Sequence, residues 1–160
     1  MKRNYDNASR LVHEANRVFA FASGYVQSNV VSEIKRLFFY DNVLIYDIGG
    51  KEEFYSVLKT ANKDDLFIFV SLSGESHHVV EFSSQLQLKG IPLISITTLH
   101  ENTLASRSTE NLYIFSEEFQ VNEPEQTPFK SMFTYFLLIE IWYVNYRVFV
   151  KNLETSQEKF

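Results

Sequence analysis

Short apolar runs alternate along this chain with segments whose apolar positions recur every three or four residues. The first run covers residues 17–22 and is followed by a helical pattern over 26–38. Residues 42–46 pair in the same way with 51–59, and 66–70 with 76–88. The run 92–97 precedes a short helix at 103–107, and the run 112–115 precedes a long helix predicted over 128–152. Strands that read as continuous apolar runs are buried on both faces. Their alternation with helices predicts an α/β fold: a five-stranded parallel sheet between two helix layers, a three-layer αβα sandwich with right-handed crossovers. Turn residues fall at the cuts, with Asp47-Ile48-Gly49-Gly50 after the second run and Lys89-Gly90 before Pro92. Residues 117–127, which include Pro124, read as a polar, solvated connection; the alternatives are a loop over the ligand-binding edge and a tether for the last helix.

The two ends carry a different message. Residues 7–16 form a short amphipathic helix with Leu11, Val12 and Ala15 on one side. It reads as the tail of a longer element, so the chain is expected to be a domain taken from a larger protein. The last helix carries large apolar groups nearly all the way round, among them Phe133, Leu137, Ile141, Trp142 and Val144. A single core-facing stripe needs fewer. One face is expected to cover the sheet and the other a partner helix, most simply in a homodimer with two-fold symmetry, or within a tetramer. Burial inside its own domain is the competing explanation.

Composition narrows the class. A chain of 160 residues suits one domain with a sizeable core, and 16% aromatic residues argue against disorder. The formal net charge of -5 gives no nonspecific attraction to nucleic acid. The absence of cysteine excludes disulfides and thiolate chemistry. The opening residues lack the apolar run of a signal peptide, and no stretch reaches the roughly 18 apolar residues of a membrane span. A cytoplasmic location without membrane partners is expected.

The candidate chemistry lies at Phe67-Ile-Phe-Val-Ser-Leu-Ser-Gly-Glu-Ser76, where a strand ends in a small, hydroxyl-rich loop before a helix. Helix N-termini present unpaired N–H groups and a partial positive charge, which attract anions. Ser71, Ser73 and Ser76 add hydroxyls there, and Gly74 allows close backbone approach. A phosphate-bearing small molecule fits such a loop, although the same residues also serve as ordinary turn and cap residues. In open α/β sheets ligands sit outside the carboxyl ends of the strands. The loop after the first strand would bring Ser23, Gly24 and Gln27, and the loop after the fourth would bring Thr97 and Thr98. Proton transfer on a sugar needs a carboxylate or histidine of tuned pKa. Glu75, His77, His78, His100 and Glu101 are the nominal candidates, but each is explained as a polar helix-start or loop residue, so no catalytic residue is assigned. Adjacent His77 and His78 project in different directions, so no metal site is expected. No cofactor motif is present.

The loop and two later segments resemble the SIS (sugar isomerase) domain family, most closely the phosphosugar-sensing domain of RpiR-type transcriptional regulators. Ser71-Leu-Ser-Gly-Glu-Ser76 is similar to the family's phosphate loop. Leu88-Lys-Gly-Ile-Pro-Leu-Ile-Ser-Ile-Thr97 resembles its fourth-strand signature, and Asn102-Thr-Leu-Ala105 the start of its next short helix. The resemblance covers about residues 11–148 and implies a single SIS domain with a flavodoxin-like sheet. It also implies phosphosugar ligands at Ser71, Ser73 and Ser76. Full regulators of this type carry an N-terminal helix-turn-helix domain, so contact with DNA would run only through a domain absent from this chain. The first loop departs from the family's Gly-x-Gly-x-Ser pattern, with Ala22 and Val26 at the first glycine and the serine, while Gln27 stands where it can compensate. A sensor that binds without turnover is the resulting expectation. A phosphosugar isomerase and a degenerate, purely dimerising domain are the alternatives.

Overall fold

Successive residues of each central strand face two different cores. Val18, Ala20, Ile68, Val70, Ile94 and Ile96 point into one, and Phe19, Phe21, Phe67, Phe69 and Leu93 into the other. This period of two, written in apolar residues on both sides, forces helices onto both faces of the sheet. A computed structural model describes residues 2–120 and 127–159. Its elements in chain order are α1 (Lys2–Glu14), β1 (Val18–Ser23), α2 (Tyr25–Phe39), β2 (Ile45–Asp47), α3 (Lys51–Leu58), β3 (Leu66–Ser71) and α4 (His77–Leu88). There follow β4 (Leu93–Thr98), α5 (Thr103–Arg107), β5 (Glu110–Ile114), β6 (Glu118–Phe119), β7 (Phe129–Lys130) and α6 (Phe133–Glu158).

The main sheet is five-stranded and parallel, in the order β2-β1-β3-β4-β5. The predicted αβα sandwich is therefore present. Helices α1, α2 and α6 cover the aliphatic face, and α3, α4 and α5 cover the phenylalanine face. On the latter, Phe54 and Phe82 stack face to face with centroids 4.0 Å apart, and Phe19 stacks on Phe67 at 5.1 Å. Each fully buried Phe contributes about 2–3 kcal/mol by leaving water. No described helix is long and apolar enough to cross a membrane.

The main departures from the sequence-based expectation lie at α1, β2, the connection after β5 and the ends of α6. The first helix starts at Lys2 rather than residue 7, because Tyr5 and Ala8 are buried against α6 and Asn7 Nδ2 donates to Glu110 Oε2 at 3.1 Å. The second strand starts at Ile45 rather than 42. The preceding residues terminate α2, with Asn42 in the left-handed region at φ 62° and the Val43 N–H donating to the Phe38 carbonyl. The connection after β5 is more than a solvated loop: β6 and β7 pair antiparallel, Glu118 opposite Lys130 and Phe119 opposite Phe129. Pro124 lies outside the described residues. That pairing moves the start of the last helix from 128 to Phe133, where the Thr134 hydroxyl donates to the Phe115 carbonyl at 2.7 Å. The helix also runs past 152 to Glu158, through residues that are polar and exposed apart from Leu153.

Helix α6 is two-faced. Tyr135, Leu138, Ile139, Trp142, Tyr143 and Tyr146 are buried against the domain, while Phe133, Leu137, Ile141, Val144 and Val148 form an exposed apolar stripe along the opposite side. Ser9 and Asn145 tie α1 to α6, with the Ser9 hydroxyl donating to Asn145 Oδ1 at 3.0 Å.

Candidate functional site

Strand order reverses between β1 and β3, whose connections leave to opposite faces of the sheet. A ligand crevice in such a sheet forms at that point. The register places Ser23 opposite Ser71, so the loops that follow both strands begin side by side. One leads into α2 and the other into α4.

Both helix starts leave their first amides without a side-chain cap. Gly24 precedes α2 with φ 119°, a conformation that side chains disfavour, and it carries no group to cap with. Ser76 precedes α4, and its hydroxyl makes no capping bond. Its oxygen is buried and has no hydrogen-bond partner. Buried hydroxyls are nearly always paired, so an unpaired one at the uncapped start of α4 marks a position suited to an oxyanion.

The rest of the loop is locked from within. The buried Ser71 hydroxyl accepts the Gly74 N–H at 3.0 Å, and the Ser73 hydroxyl accepts the Glu75 N–H at 3.1 Å. Each of these two oxygens accepts a bond, which leaves its own proton free for donation. Gly74 is buried with φ +71°, and a Cβ there would collide with Asn102 Oδ1. Asn102 is thus packed directly on the loop. Its Oδ1 accepts the Ala105 N–H at 2.8 Å as the cap of α5, and its Nδ2 donates to Thr97 Oγ1 at 3.1 Å and to the His100 carbonyl at 3.0 Å. The Leu104 N–H adds a bond to the Gly74 carbonyl at 3.2 Å.

Two of the candidate acid–base groups are engaged in the same scaffold. The Glu75 carboxylate accepts the Thr103 N–H at 2.7 Å and the Thr103 hydroxyl at 2.8 Å, and these bonds hold its pKa below the ordinary carboxylate range. A base for carbon acids needs the opposite shift. His100 bridges Thr98 Oγ1 at 2.9 Å and the Ser73 carbonyl at 3.0 Å, while the Thr98 hydroxyl donates to the Leu72 carbonyl at 2.7 Å. His77 and His78 point elsewhere. His77 lies 3.5 Å from Glu81, which also binds Lys51 and the Tyr55 hydroxyl, and His78 stacks on Phe82. Glu101 is exposed. Among the described residues no three His, Cys, Asp or Glu side chains gather as a metal site.

Of the residues predicted from sequence, Ser71, Ser73, Gly74 and Ser76 share one loop, and Ser23 and Gly24 lie beside it across the β1–β3 pair. Gln27 is buried on the first turn of α2, and its carboxamide folds back over Gly24, where a Cβ would strike Oε1. Thr97 is fully buried beneath the loop and is bonded to Asn102. Its hydroxyl is part of the support. Asn102 was read from sequence as a helix start, and its place against the loop was missed.

Two clefts open at the carboxyl ends of the strands, of which the first touches the loop. One of about 460 Å³ is lined by Ser73, Thr98, His100, Ser116, Glu118 and Lys130, so the β6–β7 pair stands at the carboxyl edge of the sheet. The other, about 250 Å³, is lined by Ala22, Ser28, Ser32, Asp47 and Gly49 on the β1–β2 side.

Comparison with known proteins agrees with this fold. The family model described as SIS domain matches residues 11–144. The HTH-type transcriptional regulator GlvR of Bacillus subtilis (strain 168) is 32% identical over 146 residues, which is 89% of this chain and 57% of the regulator. The chain thus spans little more than half the length of that relative. Among solved structures, the sugar isomerase domain of an RpiR transcription factor from Sphaerobacter thermophilus superposes with a TM-score of 0.75 at 12% identity, covering 97% of this chain and 87% of that one. The Vibrio vulnificus NanR protein complexed with ManNAc-6P superposes with a TM-score of 0.75 at 18% identity, covering 99% and 60%. With its sheet order, its serine loop and a family match over most of its length, the chain belongs to the SIS domain family.

Proposed function

We propose that this chain is the phosphosugar-sensing domain of an RpiR-type transcriptional regulator of carbohydrate metabolism genes, acting in the cytoplasm. The observation that carries the reading is the buried, unpartnered Ser76 hydroxyl at the uncapped start of α4. Ser71 and Ser73 are assigned with it to the phosphate, and Ser23, Gly24 and Gln27, across the β1–β3 pair, to the rest of the ligand. A fold relative complexed with an amino-sugar phosphate fits the same class of ligand.

Binding without turnover is favoured over isomerisation because Glu75 and His100, the acid–base groups beside the loop, are both spent on holding α5 and the loop in place. The exposed stripe Phe133, Leu137, Ile141, Val144 and Val148 repeats every three or four residues, the spacing of a helix–helix seam. It suits a second copy of the chain, giving a homodimer that would arrange DNA-binding heads supplied by a helix-turn-helix domain outside this sequence.

A thermal-shift and calorimetric screen with hexose, pentose and amino-sugar phosphates, with the unphosphorylated sugars as controls, tests the reading. S73A and S76A should each weaken a phosphate-dependent ligand about ten-fold, the loss expected for a bond to a charged group. S76A should leave the melting temperature unchanged or slightly raised, since it removes an unpaired buried hydroxyl. Unchanged affinity in both variants excludes this site, and conversion of the bound sugar phosphate excludes a pure sensor.

A further inference from the structure

On the outer face of α6, Leu137, Ile141, Val144 and Val148 are exposed and follow one another at spacings of four, three and four residues. That is the repeat of a supercoiled helix pair. Glu140 and Arg147 stand one heptad apart on a single flank of this stripe, and both are exposed. Glu140 joins none of the ion pairs of the described residues, and Arg147 reaches only Asp41, with Nε 3.8 Å from Oδ1. A groove of about 580 Å³, lined by Tyr143, Val144, Val148 and Glu154, runs past Arg147 and leaves room beside it for another side chain. The opposite flank is closed by α1. There Asn145 is bonded to Ser9 and Asp6, and Phe149 meets the His13 ring edge-on with centroids 6.2 Å apart. A helix docking on the stripe therefore finds Glu140 and Arg147 on one side of it and α1 on the other.

We propose that α6 pairs antiparallel with α6 of a second copy, in the register that sets Leu137 against Val148 of the partner subunit and Ile141 against Val144 of the partner subunit. The proposal rests on the reading of this stripe as a subunit seam and fixes its geometry. Antiparallel helices related by a two-fold axis bring the same flank of each together. In this register the axis passes at the level of Trp142 and Tyr143, and all four apolar residues cover one another. Glu140 of each copy then faces Arg147 of the partner subunit, twice by symmetry. A slide of one heptad in either direction takes two of the four residues off their apolar partners. It also sets Glu140 against Glu140 of the partner subunit, or Arg147 against Arg147 of the partner subunit. A parallel pair would place Glu140 beside Asn145 of the partner subunit and Arg147 beside Asn152 of the partner subunit, where neither meets an opposite charge. The stripe attracts a second helix, and the two charges choose its direction and register by favouring one arrangement and opposing its neighbours.

The 160-residue chain, E140R and R147E are compared by analytical ultracentrifugation, each alone and the two variants mixed in equal amounts. Either substitution turns both charge contacts of the dimer into repulsions, so each variant alone should dimerise about ten-fold more weakly than the parent, and less so at high salt. In the mixture every contact again joins opposite charges, and the dissociation constant should return to within about three-fold of the parental value. This rescue also shows that both variants fold. The chain has no cysteine, so S156C accepts a single spin label on the exposed end of α6. The two labels of a dimer should lie about 40 Å apart in the proposed register, against about 10–15 Å in a parallel pair. A dimeric parent whose variants dimerise as tightly as it does refutes the register and leaves the seam. So does a mixture no tighter than the variants alone, or a label distance under about 20 Å. A parent chain that stays monomeric at micromolar concentration refutes the seam and the register together.

Discussion

Gly74 offers the sharpest test of how the loop is held. Its φ of +71° disfavours any side chain, which costs an alanine about 1–2 kcal/mol. The new methyl would also meet Asn102 Oδ1 and Cγ, forcing the Asn102 side chain out of its place. That side chain makes the α5 cap, worth about 1 kcal/mol, and donates bonds to Thr97 and the His100 carbonyl that contribute about 1 kcal/mol each. G74A should therefore destabilise the domain by about 4 kcal/mol, which lowers the melting temperature by roughly 8–16 °C for a chain of this size. N102A removes the same three bonds and should cost about 3 kcal/mol. The bonds can be lost only once, so in the double variant G74A should add little beyond its backbone term. The sum of the singles, about 7 kcal/mol, should exceed the double by about 2–3 kcal/mol. Urea denaturation of all four proteins measures the cycle. Additivity within about 0.5 kcal/mol, or a G74A protein as stable as the parent, refutes the packing argument.

The Arg17–Asp65 pair sets a pH dependence. Asp65 is buried and bonded twice by Arg17, at 2.7 and 3.0 Å, and by the Asn62 N–H, which together hold its pKa below the ordinary value. A depressed folded pKa stabilises the protein above the ordinary carboxylate range, and this is lost as pH falls through that value toward the folded one. Arg17 is partly exposed, so D65N should cost about 2 kcal/mol at neutral pH, discounted from a fully buried pair, with the gap to the parent narrowing below about pH 4. An equal gap at pH 3 and pH 7 in chemical denaturation contradicts this origin. On the outer face of α6, I141E should convert a dimer to a monomer in analytical ultracentrifugation without lowering the melting temperature of the monomer by more than about 1 kcal/mol equivalent, as for an exposed position. A parent chain that is monomeric at micromolar concentration removes the dimer assignment.

The central strands were legible because β3 and β4 are written as apolar runs that no amphipathic helix would carry, and the serine loop was legible because its chemistry is local. The start of α1 was not. Residues 2–6 are polar apart from Tyr5, and the helix there is held by β5 and α6, more than a hundred residues away in sequence. The β6–β7 pair is two residues long on each side, too short for any period to register. At the site, Thr97 read as a ligand contact because strand-end threonines face the crevice, yet its hydroxyl is bonded to Asn102. Asn102 read only as a helix start, because its approach to Gly74 is a tertiary contact with no local signature.

The docking of α1 has a consequence for biosynthesis. Asn4 and Asn7 bond to Asn111 and Glu110, and Asp6 and Ser9 to Asn145, so the first segment of this sequence to leave the ribosome waits for nearly the last. Until α6 emerges, the part of the aliphatic face that α2 leaves uncovered and the outer edge of β5 stand open. Nascent chains stalled before residue 133 should therefore be substrates for chaperones that bind apolar strands, and closure of the domain becomes an event that follows translation of α6.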